Sequence, residues 1–245
     1  MEEQIKWLIH QFTAFLKKKL EYNSEDLPYY LSIIISFIFF IIGLNVFLEI
    51  AEGLVNNNLY TFDNIVSQYI ISYRTEELST IFRFITDLGD FAAYVIFSVL
   101  LTIILIVNKE KGIFIFQIIV VSVLSFYINL FLKEFYDRAR PDAEQLVKVS
   151  HLSFPSGHAM SAAAYYGFLI YLSVRYFKYF WLKVAVTIFC IILILGIGIS
   201  RVYLGVHYPS DVVAGFLGGV LWMTFCVVIF NIIGLIRKRK LRNHA

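Results

Sequence analysis

The sequence predicts an all-α membrane protein with six transmembrane helices. Of its 245 residues, 59% are hydrophobic and only 16% are charged, and the mean hydropathy is +0.74. Soluble domains of this length carry more charge and less apolar bulk. The apolar residues also occur in long runs, which favours a chain that crosses a membrane several times over a large soluble core. The net charge of +3 is modest, and no nucleic-acid partner is predicted from it.

Residues 1–28 are predicted to form an amphipathic helix on the membrane surface. Their apolar residues recur at helical spacing, at Ile5, Leu8, Ile9, Phe12, Leu16 and Leu20. The alternative is a short helix packed against the rest of the protein. An acidic start at Glu2 and Glu3, with charges that interrupt any apolar core, does not fit a signal peptide.

Six segments are predicted to cross the membrane, because a helix of about 20 apolar residues spans a hydrocarbon core of about 30 Å. These segments are residues 29–48, 91–107, 113–132, 158–174, 184–199 and 212–236. Residues 49–90 form the longest stretch between spans, and its middle, 59–85, is predicted to be helical and to lie along the surface. The predicted membrane domain is therefore residues 29–236, followed by a basic tail at 237–245.

The positions of the basic segments predict how the chain is oriented in the membrane. With six spans both termini share one side, together with the basic residues at 17–19, 109–111, 175–183 and 237–242. The acidic stretch 49–90 and the loop 133–157 then lie on the opposite side. Positive residues favour the cytoplasm. We therefore expect a multi-pass protein of the plasma or inner membrane with cytoplasmic termini, and polar loops on the periplasmic or extracellular side.

Small residues are concentrated in the last three predicted spans. The members are Ala159, Ser161, Ala162, Ala163, Ala164 and Gly167, then Gly196 and Gly198, then Ala214, Gly215, Gly218 and Gly219. Small residues allow helices to approach closely inside a bilayer. We expect these three helices to form a tight centre. Both cysteines, Cys190 and Cys226, lie in apolar runs, which supports neither a disulfide framework nor a metal site.

Three polar clusters, residues 133–141, 154–158 and 200–211, lie where apolar segments begin or end. Lys133, Arg140 and Arg201 are cations on the predicted outer side, where positive residues are depleted. Each alone is typical of a topological anchor. Together they indicate an anionic partner, and guanidinium and ammonium groups suit a phosphate.

The second cluster predicts a phosphate site at a helix N-terminus. In Pro155-Ser156-Gly157-His158, Ser156 suits an N-cap and Gly157 allows a ligand to approach the backbone. Free N–H groups at a helix start bind phosphate, and His158 would lie in the first turn beside it. The alternative is a plain turn with a capping histidine.

The third cluster contains a histidine and a carboxylate four residues apart. His207 and Asp211 would share one helix face. A carboxylate bound to one ring nitrogen fixes the tautomer and makes the other nitrogen more nucleophilic. On its own, a histidine–carboxylate pair of this kind indicates a helix cap or an interface. Together with the other two clusters it indicates a catalytic pair.

Together the clusters resemble the three signature motifs of the type 2 phosphatidic acid phosphatase superfamily of membrane lipid phosphatases. The motifs are Lys, six residues, Arg-Pro; Pro-Ser-Gly-His; and Ser-Arg, five residues, His, three residues, Asp. The resemblance implies a nucleophile at His207, oriented by Asp211, and a proton donor at His158. It implies that the phosphoryl oxygens are held by Lys133, Arg140, Ser156, Gly157 and Arg201.

The predicted function is hydrolysis of a lipid phosphate or pyrophosphate through a phosphohistidine. Candidate substrates are phosphatidylglycerol phosphate, phosphatidic acid, undecaprenyl pyrophosphate and lipid A. No cofactor and no metal are expected, because the clusters are net basic and lack a carboxylate group suited to Mg²⁺. Membrane lipids are the expected partners, and no obligate protein partner is implied. The alternatives are a non-catalytic phospholipid carrier and a haloperoxidase of the vanadate type.

The loop between the first two motifs is predicted to act as a lid or to select the head group. Its polar residues are Asp137, Arg138, Asp142, Glu144, Lys148 and His151. The alternative for each of them is an ordinary solvated loop position.

Overall fold

A computed structural model describes residues 27–56, 58–107, 113–149 and 152–243. The amphipathic helix predicted for residues 1–28 lies outside these ranges, except for its last two residues, which already belong to the first helix. The basic link at 108–112 and His151 also lie outside them.

The described residues form eight α-helices and no strand; one isolated bridge pairs Ala139 with Leu152. This confirms the all-α prediction. The helices are α1 Leu27–Val55, α2 Tyr60–Ile71, α3 Glu76–Asp87, α4 Phe91–Val107, α5 Ile113–Tyr136, α6 Gly157–Tyr176, α7 Phe180–Tyr203 and α8 Pro209–Asn243.

Four helices are long and apolar enough to cross a membrane. They contain the segments Ile33–Val55, Ile113–Tyr136, Phe180–Tyr203 and Pro209–Arg237. A fifth crossing results if α3 and the adjoining part of α4, which are bent by 58°, count as one. Length and composition therefore support four or five spans among the described residues, where six are predicted. The difference lies in α6, whose Ala, Gly, Ser and Tyr residues lower its hydropathy, and in α4, which has only 17 residues.

The first helix extends into the stretch 49–90, which was predicted to lie between spans. Helix α1 continues past residue 48 to Val55, because Phe47 and Ala51 pack against Phe154 and Ala214 while the nearby glutamates face outward. The predicted helical middle is present but is broken into α2 and α3. At the break, the Thr75 side chain accepts a hydrogen bond from the Leu78 N–H and caps α3.

Helix α6 is at the centre of the bundle, as its small residues predict. It packs against α5, α7 and α8, and Ala162, Ala163 and Ala164 are all buried. Its approach to α8 is close: a Cβ on Gly215 would lie 2.7 Å from the Ser156 carbonyl oxygen. Helix α1 packs along α8, a contact that the sequence did not predict.

The helix ends that carry the three clusters meet at one end of the bundle. The Ser156 N–H donates to the Asp211 carbonyl at 3.0 Å, which joins the start of α6 to the start of α8. The Lys133 ammonium, near the end of α5, donates to the Leu152 carbonyl at 2.6 Å. Helix α2 reaches the same end through Asp63, which accepts from the Ser210 N–H at 2.9 Å.

Candidate active site

A tight turn between α7 and α8 positions His207. Gly205 has φ of +75°, a conformation that favours glycine, and an added Cβ would lie 2.5 Å from the Glu144 carbonyl oxygen. The N–H groups of Val206 and His207 donate back to the Arg201 carbonyl at 3.1 and 3.3 Å. The turn thereby fixes His207 between the end of one helix and the start of the next.

The two nitrogens of His207 have different surroundings. Nδ1 lies 3.4 Å from Asp211 Oδ2 and 3.2 Å from Ser153 Oγ, whereas Nε2 lies 3.3 Å from Arg140 Nη1. The carboxylate favours a proton on Nδ1, which leaves the Nε2 lone pair unprotonated. Burial lowers the pKa of His207 to about 3, against the opposing effect of Asp211. The ring is therefore neutral at neutral pH and suited to nucleophilic attack through Nε2.

Asp211 is fully buried and is held on both oxygens. Oδ1 accepts from Arg138 Nη1 at 2.6 Å, and Oδ2 accepts from the Tyr208 N–H at 2.9 Å and from the Ser153 hydroxyl. The pairing of Asp211 with His207 predicted from the sequence is present, but the two residues do not share a helix face, because His207 lies in the turn before α8. Arg138 and Ser153, which sequence reasoning did not place in the site, complete its surroundings.

Arg138 bridges two buried carboxylates. Its Nη2 donates to Asp63 Oδ2 at 2.7 Å while its Nη1 binds Asp211, and its guanidinium lies 4.1 Å from the centre of the Tyr208 ring. Asp63 also accepts from the N–H and the hydroxyl of Ser210, so it caps the start of α8. We call Asp63, Arg138, Ser210 and Asp211 the carboxylate clamp.

Sequence reasoning counted Asp63 as part of an acidic outer stretch, yet it is 1% exposed. The available signal was its position as the single charged residue in the otherwise apolar and neutral α2. For Arg138 the sequence offers no comparable signal, since it is one of several charges in a polar loop.

His158 lies in the first turn of α6, as predicted, and is paired with a second carboxylate. Its Nε2 lies 2.9 Å from Oδ1 of Asp90, which sits between α3 and α4. The hydrogen bond from His158 lowers the pKa of Asp90. Asp90 is a further residue that sequence reasoning did not assign to the site.

Three cations surround the histidines. Arg201 is buried; its Nη1 donates to Thr86 Oγ1 at 2.6 Å, and its Nε has no hydrogen-bond partner within the described ranges. Arg140 donates to the Val206 carbonyl, and burial lowers its pKa. Lys133 donates to the carbonyls of the segment that precedes α6. A buried guanidinium N–H without an acceptor is suited to an anionic ligand.

A cavity of about 670 Å³ opens beside these groups. Six of the eight predicted site residues line it: Lys133, Arg140, Gly157, His158, Arg201 and His207. The other two, Ser156 and Asp211, lie behind its wall. Ser156 is the N-cap of α6, where its hydroxyl accepts from the Ala159 N–H at 3.5 Å, and its role in phosphate binding stays a prediction.

Gly157 at the start of α6 allows Asn129 to pack closely against the turn. A Cβ there would lie 2.8 Å from Oδ1 of Asn129, whose Nδ2 donates to the Pro155 carbonyl at 3.1 Å. Asn129 thus supports the turn before α6, while Gly157 itself lines the cavity.

An apolar part of the cavity wall comes from α4 and α5. It includes Phe91, Val123, Phe126, Tyr127 and Leu130. All five side chains are also exposed on the outside of the bundle. The polar site therefore continues into an apolar groove that is open at its side.

The described residues contain no group of three or more His, Cys, Asp or Glu side chains placed to hold a metal ion. Cys190 and Cys226 are both buried and unpaired.

Comparison with known proteins gives consistent matches. The family model described as PAP2 superfamily matches residues 114–234. Phosphatidylglycerophosphatase B of Bacillus subtilis is 34% identical over 183 residues, which cover 71% of this chain and 86% of that protein. Lipid A 1-phosphatase of Rhizobium johnstonii is 37% identical over 86 residues, covering 35% of this chain and 31% of that one. The crystal structure of a transmembrane PAP2-type phosphatidylglycerolphosphate phosphatase from Bacillus subtilis superposes with a TM-score of 0.72 at 30% identity, covering 78% and 95% of the two chains.

Proposed function

Because the chain belongs to the PAP2 superfamily of lipid phosphatases, we propose that it hydrolyses a phosphate ester or pyrophosphate of a membrane lipid through a phosphohistidine at His207. The observation that carries this proposal is the asymmetry of the imidazole. Its Nδ1 lies beside Asp211 and Ser153, its Nε2 lies beside Arg140, and His207 lines the cavity.

In the first step, Nε2 of His207 attacks phosphorus and the bond from phosphorus to the lipid oxygen breaks. The developing charge on the phosphoryl oxygens is stabilised by Arg140, Arg201, Lys133 and the Gly157 N–H. The leaving oxygen takes a proton from His158. Asp90 binds Nε2 of that ring and stabilises its cation, which leaves Nδ1 for the transfer.

In the second step, His158 accepts a proton from water as the water attacks phosphorus. The bond from phosphorus to Nε2 breaks, inorganic phosphate leaves, and His207 returns to its neutral form. Asp211 stabilises the positive charge that Nδ1 carries while Nε2 is phosphorylated. No residue has to move far, because both histidines line one cavity.

A lipid substrate is supported by the apolar groove beside the polar site. Phe126, Tyr127 and Leu130 line the cavity and are also exposed on the bundle surface, where acyl chains would lie. The phosphate would bind at the polar end while the chains stay in the bilayer. The candidate substrates are phosphatidylglycerol phosphate, phosphatidic acid, undecaprenyl pyrophosphate and lipid A.

Six crossings, by α1, α4, α5, α6, α7 and α8, account for the positions of the polar clusters. In this arrangement α6 is a crossing shielded by its neighbours, which explains why it needs fewer apolar residues. Helices α2 and α3 lie at the end that carries the site. The basic residues at the end of α6, in the link to α7 and at the end of α8 lie at the opposite end of these helices, and they favour cytoplasmic termini and a site on the outer face of a plasma or inner membrane.

The test is phosphate release from the four candidate lipids in detergent. We expect the parent enzyme to hydrolyse at least one of them in EDTA, and His207→Ala to lose activity by at least about 1000-fold. His10→Ala, a histidine outside all three motifs, is the matched control and should be fully active. Hydrolysis by His207→Ala at the parent rate would reject the nucleophile. Loss of activity in EDTA with recovery on adding Mg²⁺ would reject the metal-free mechanism.

A further inference from the structure

We propose that Lys148 forms a second anion subsite at the mouth of the cavity, so that the favoured lipid carries a second phosphate beside the one that is hydrolysed. This inference rests on the proposed function and narrows its substrate class. Lys148 belongs to none of the three motifs, yet it lines the same cavity as His158 and His207.

The backbone around Lys148 is anchored close to His207. Val147 and Val149 on either side pack against a buried cluster of Tyr203, Leu204 and Val206. The Leu146 N–H donates to the Leu204 carbonyl at 3.0 Å.

A second contact holds the same loop from the link between α2 and α3. Arg74 donates to the Glu144 carbonyl at 3.0 Å and to the Tyr203 carbonyl at 2.9 Å. The backbone at Lys148 is therefore held in a fixed position relative to the turn that carries His207.

The ammonium of Lys148 is available for a ligand. Its side chain is exposed, and within the described ranges no hydrogen bond or ion pair engages it. Lys133 and Arg201 differ, because both are already tied to carbonyl or hydroxyl groups of the protein near the histidines. Lys148 is thus placed to bind a charge that lies farther out than the reacting phosphate.

The chemistry of the candidate lipids decides what this charge is. Phosphatidic acid offers one phosphate followed directly by its glycerol esters. Phosphatidylglycerol phosphate adds a phosphodiester one glycerol away, and a polyprenyl pyrophosphate adds a phosphate bonded directly to the first. A lysine on a flexible four-carbon stem can pair with a second phosphate in either position, since it acts as a point charge.

The experiment compares Lys148→Ala, Lys148→Arg and the parent enzyme on these three lipids in one detergent. We expect Lys148→Ala to lower kcat/KM about 10-fold, mainly through KM, for at least one of the two-phosphate lipids. For phosphatidic acid the change should stay below about twofold, and Lys148→Arg should retain most of the activity. Which two-phosphate lipid responds tells whether the second phosphate is a phosphodiester or part of a pyrophosphate.

Phosphatidic acid serves as the internal control for folding. Lys178→Ala, an exposed lysine in the link between α6 and α7, is the matched surface control. Equal losses on all three lipids, or no loss on any, would overturn the subsite. Inactivity of the parent enzyme on these three lipids and on lipid A would instead reject the proposed function.

Discussion

Asp211 is a buried carboxylate whose position depends on another buried charge, that of Arg138. The guanidinium holds Asp211 with one arm and Asp63 with the other, and Asp63 in turn caps α8. Buried charges are stable only when they are paired and hydrogen-bonded. The carboxylate clamp therefore sets where Asp211 meets the imidazole of His207, and hence the direction of Nε2.

We predict that Arg138→Lys lowers kcat by about 100-fold with little change in KM, because one ammonium cannot bind both carboxylates in the same geometry. Steady-state kinetics on the best lipid substrate measures kcat and KM separately. Arg74→Lys is the matched control: Arg74 also ties distant segments together, but it donates only to carbonyl oxygens, which a lysine ammonium can also bind, so kcat should change less than about threefold. An Arg138→Lys enzyme with parent kcat would show that the clamp does not act on catalysis.

Some residues of the site could be identified from the sequence and others could not. The motif residues could be named because spacing and residue type carry their chemistry, and His207 and Asp211 are only four residues apart along the chain. Asp63 and Asp90 reach the site from segments that are distant along the chain, and Arg138, although it lies inside the first cluster, binds carboxylates 73 and 75 residues away. No local pattern records such contacts, since they exist only after the bundle has formed.

At the scale of helices, the crossing of α6 and α8 brings the second and third polar clusters together. His158 lies near the start of α6 and Asp211 lies near the start of α8, so the distance between them depends on how closely the two helices pack. Gly219 allows this approach: a Cβ there would collide with the Met160 carbonyl and lie 2.8 Å from the Ala163 Cβ. Backbone atoms cannot move aside as a flexible side chain can.

We predict that Gly219→Ala destabilises the protein by about 2 kcal/mol through overpacking. Gly218→Ala is the matched control on the same helix, because its nearest neighbour would be the flexible Met160 side chain at 3.4 Å. Thermal unfolding in detergent should show a lower Tm for Gly219→Ala and an unchanged or higher Tm for Gly218→Ala. Equal Tm values for the two variants would contradict the close crossing.

The small residues predicted this crossing, but other helix contacts left no signal in the sequence. The packing of α1 along α8 uses ordinary apolar residues such as Phe47, Leu217 and Leu221, which look the same whether they face lipid or protein. The break between α2 and α3 was missed as well, because Thr75 at the break is not distinctive outside its capping geometry.

At the scale of the whole molecule, composition and apolar runs were enough to predict an all-α membrane protein. The number of crossings was harder to predict. Hydropathy reports how favourably a segment transfers from water into lipid, whereas α6 is covered largely by protein. Its Tyr165 and Tyr166 are buried, and their hydroxyls donate to the carbonyls of Tyr94 and Leu88. A shielded helix of this kind can contain polar groups that a lipid-facing helix avoids.

The arrangement of the whole site predicts two successive displacements at phosphorus, first by His207 and then by water. The most direct test uses a phosphorothioate lipid made chiral at phosphorus with heavy oxygen isotopes and hydrolysed in water of a different isotope. Each in-line displacement inverts phosphorus, so a phosphohistidine intermediate predicts overall retention of configuration. Inversion in the released thiophosphate would mean direct attack by water and would contradict the phosphohistidine mechanism.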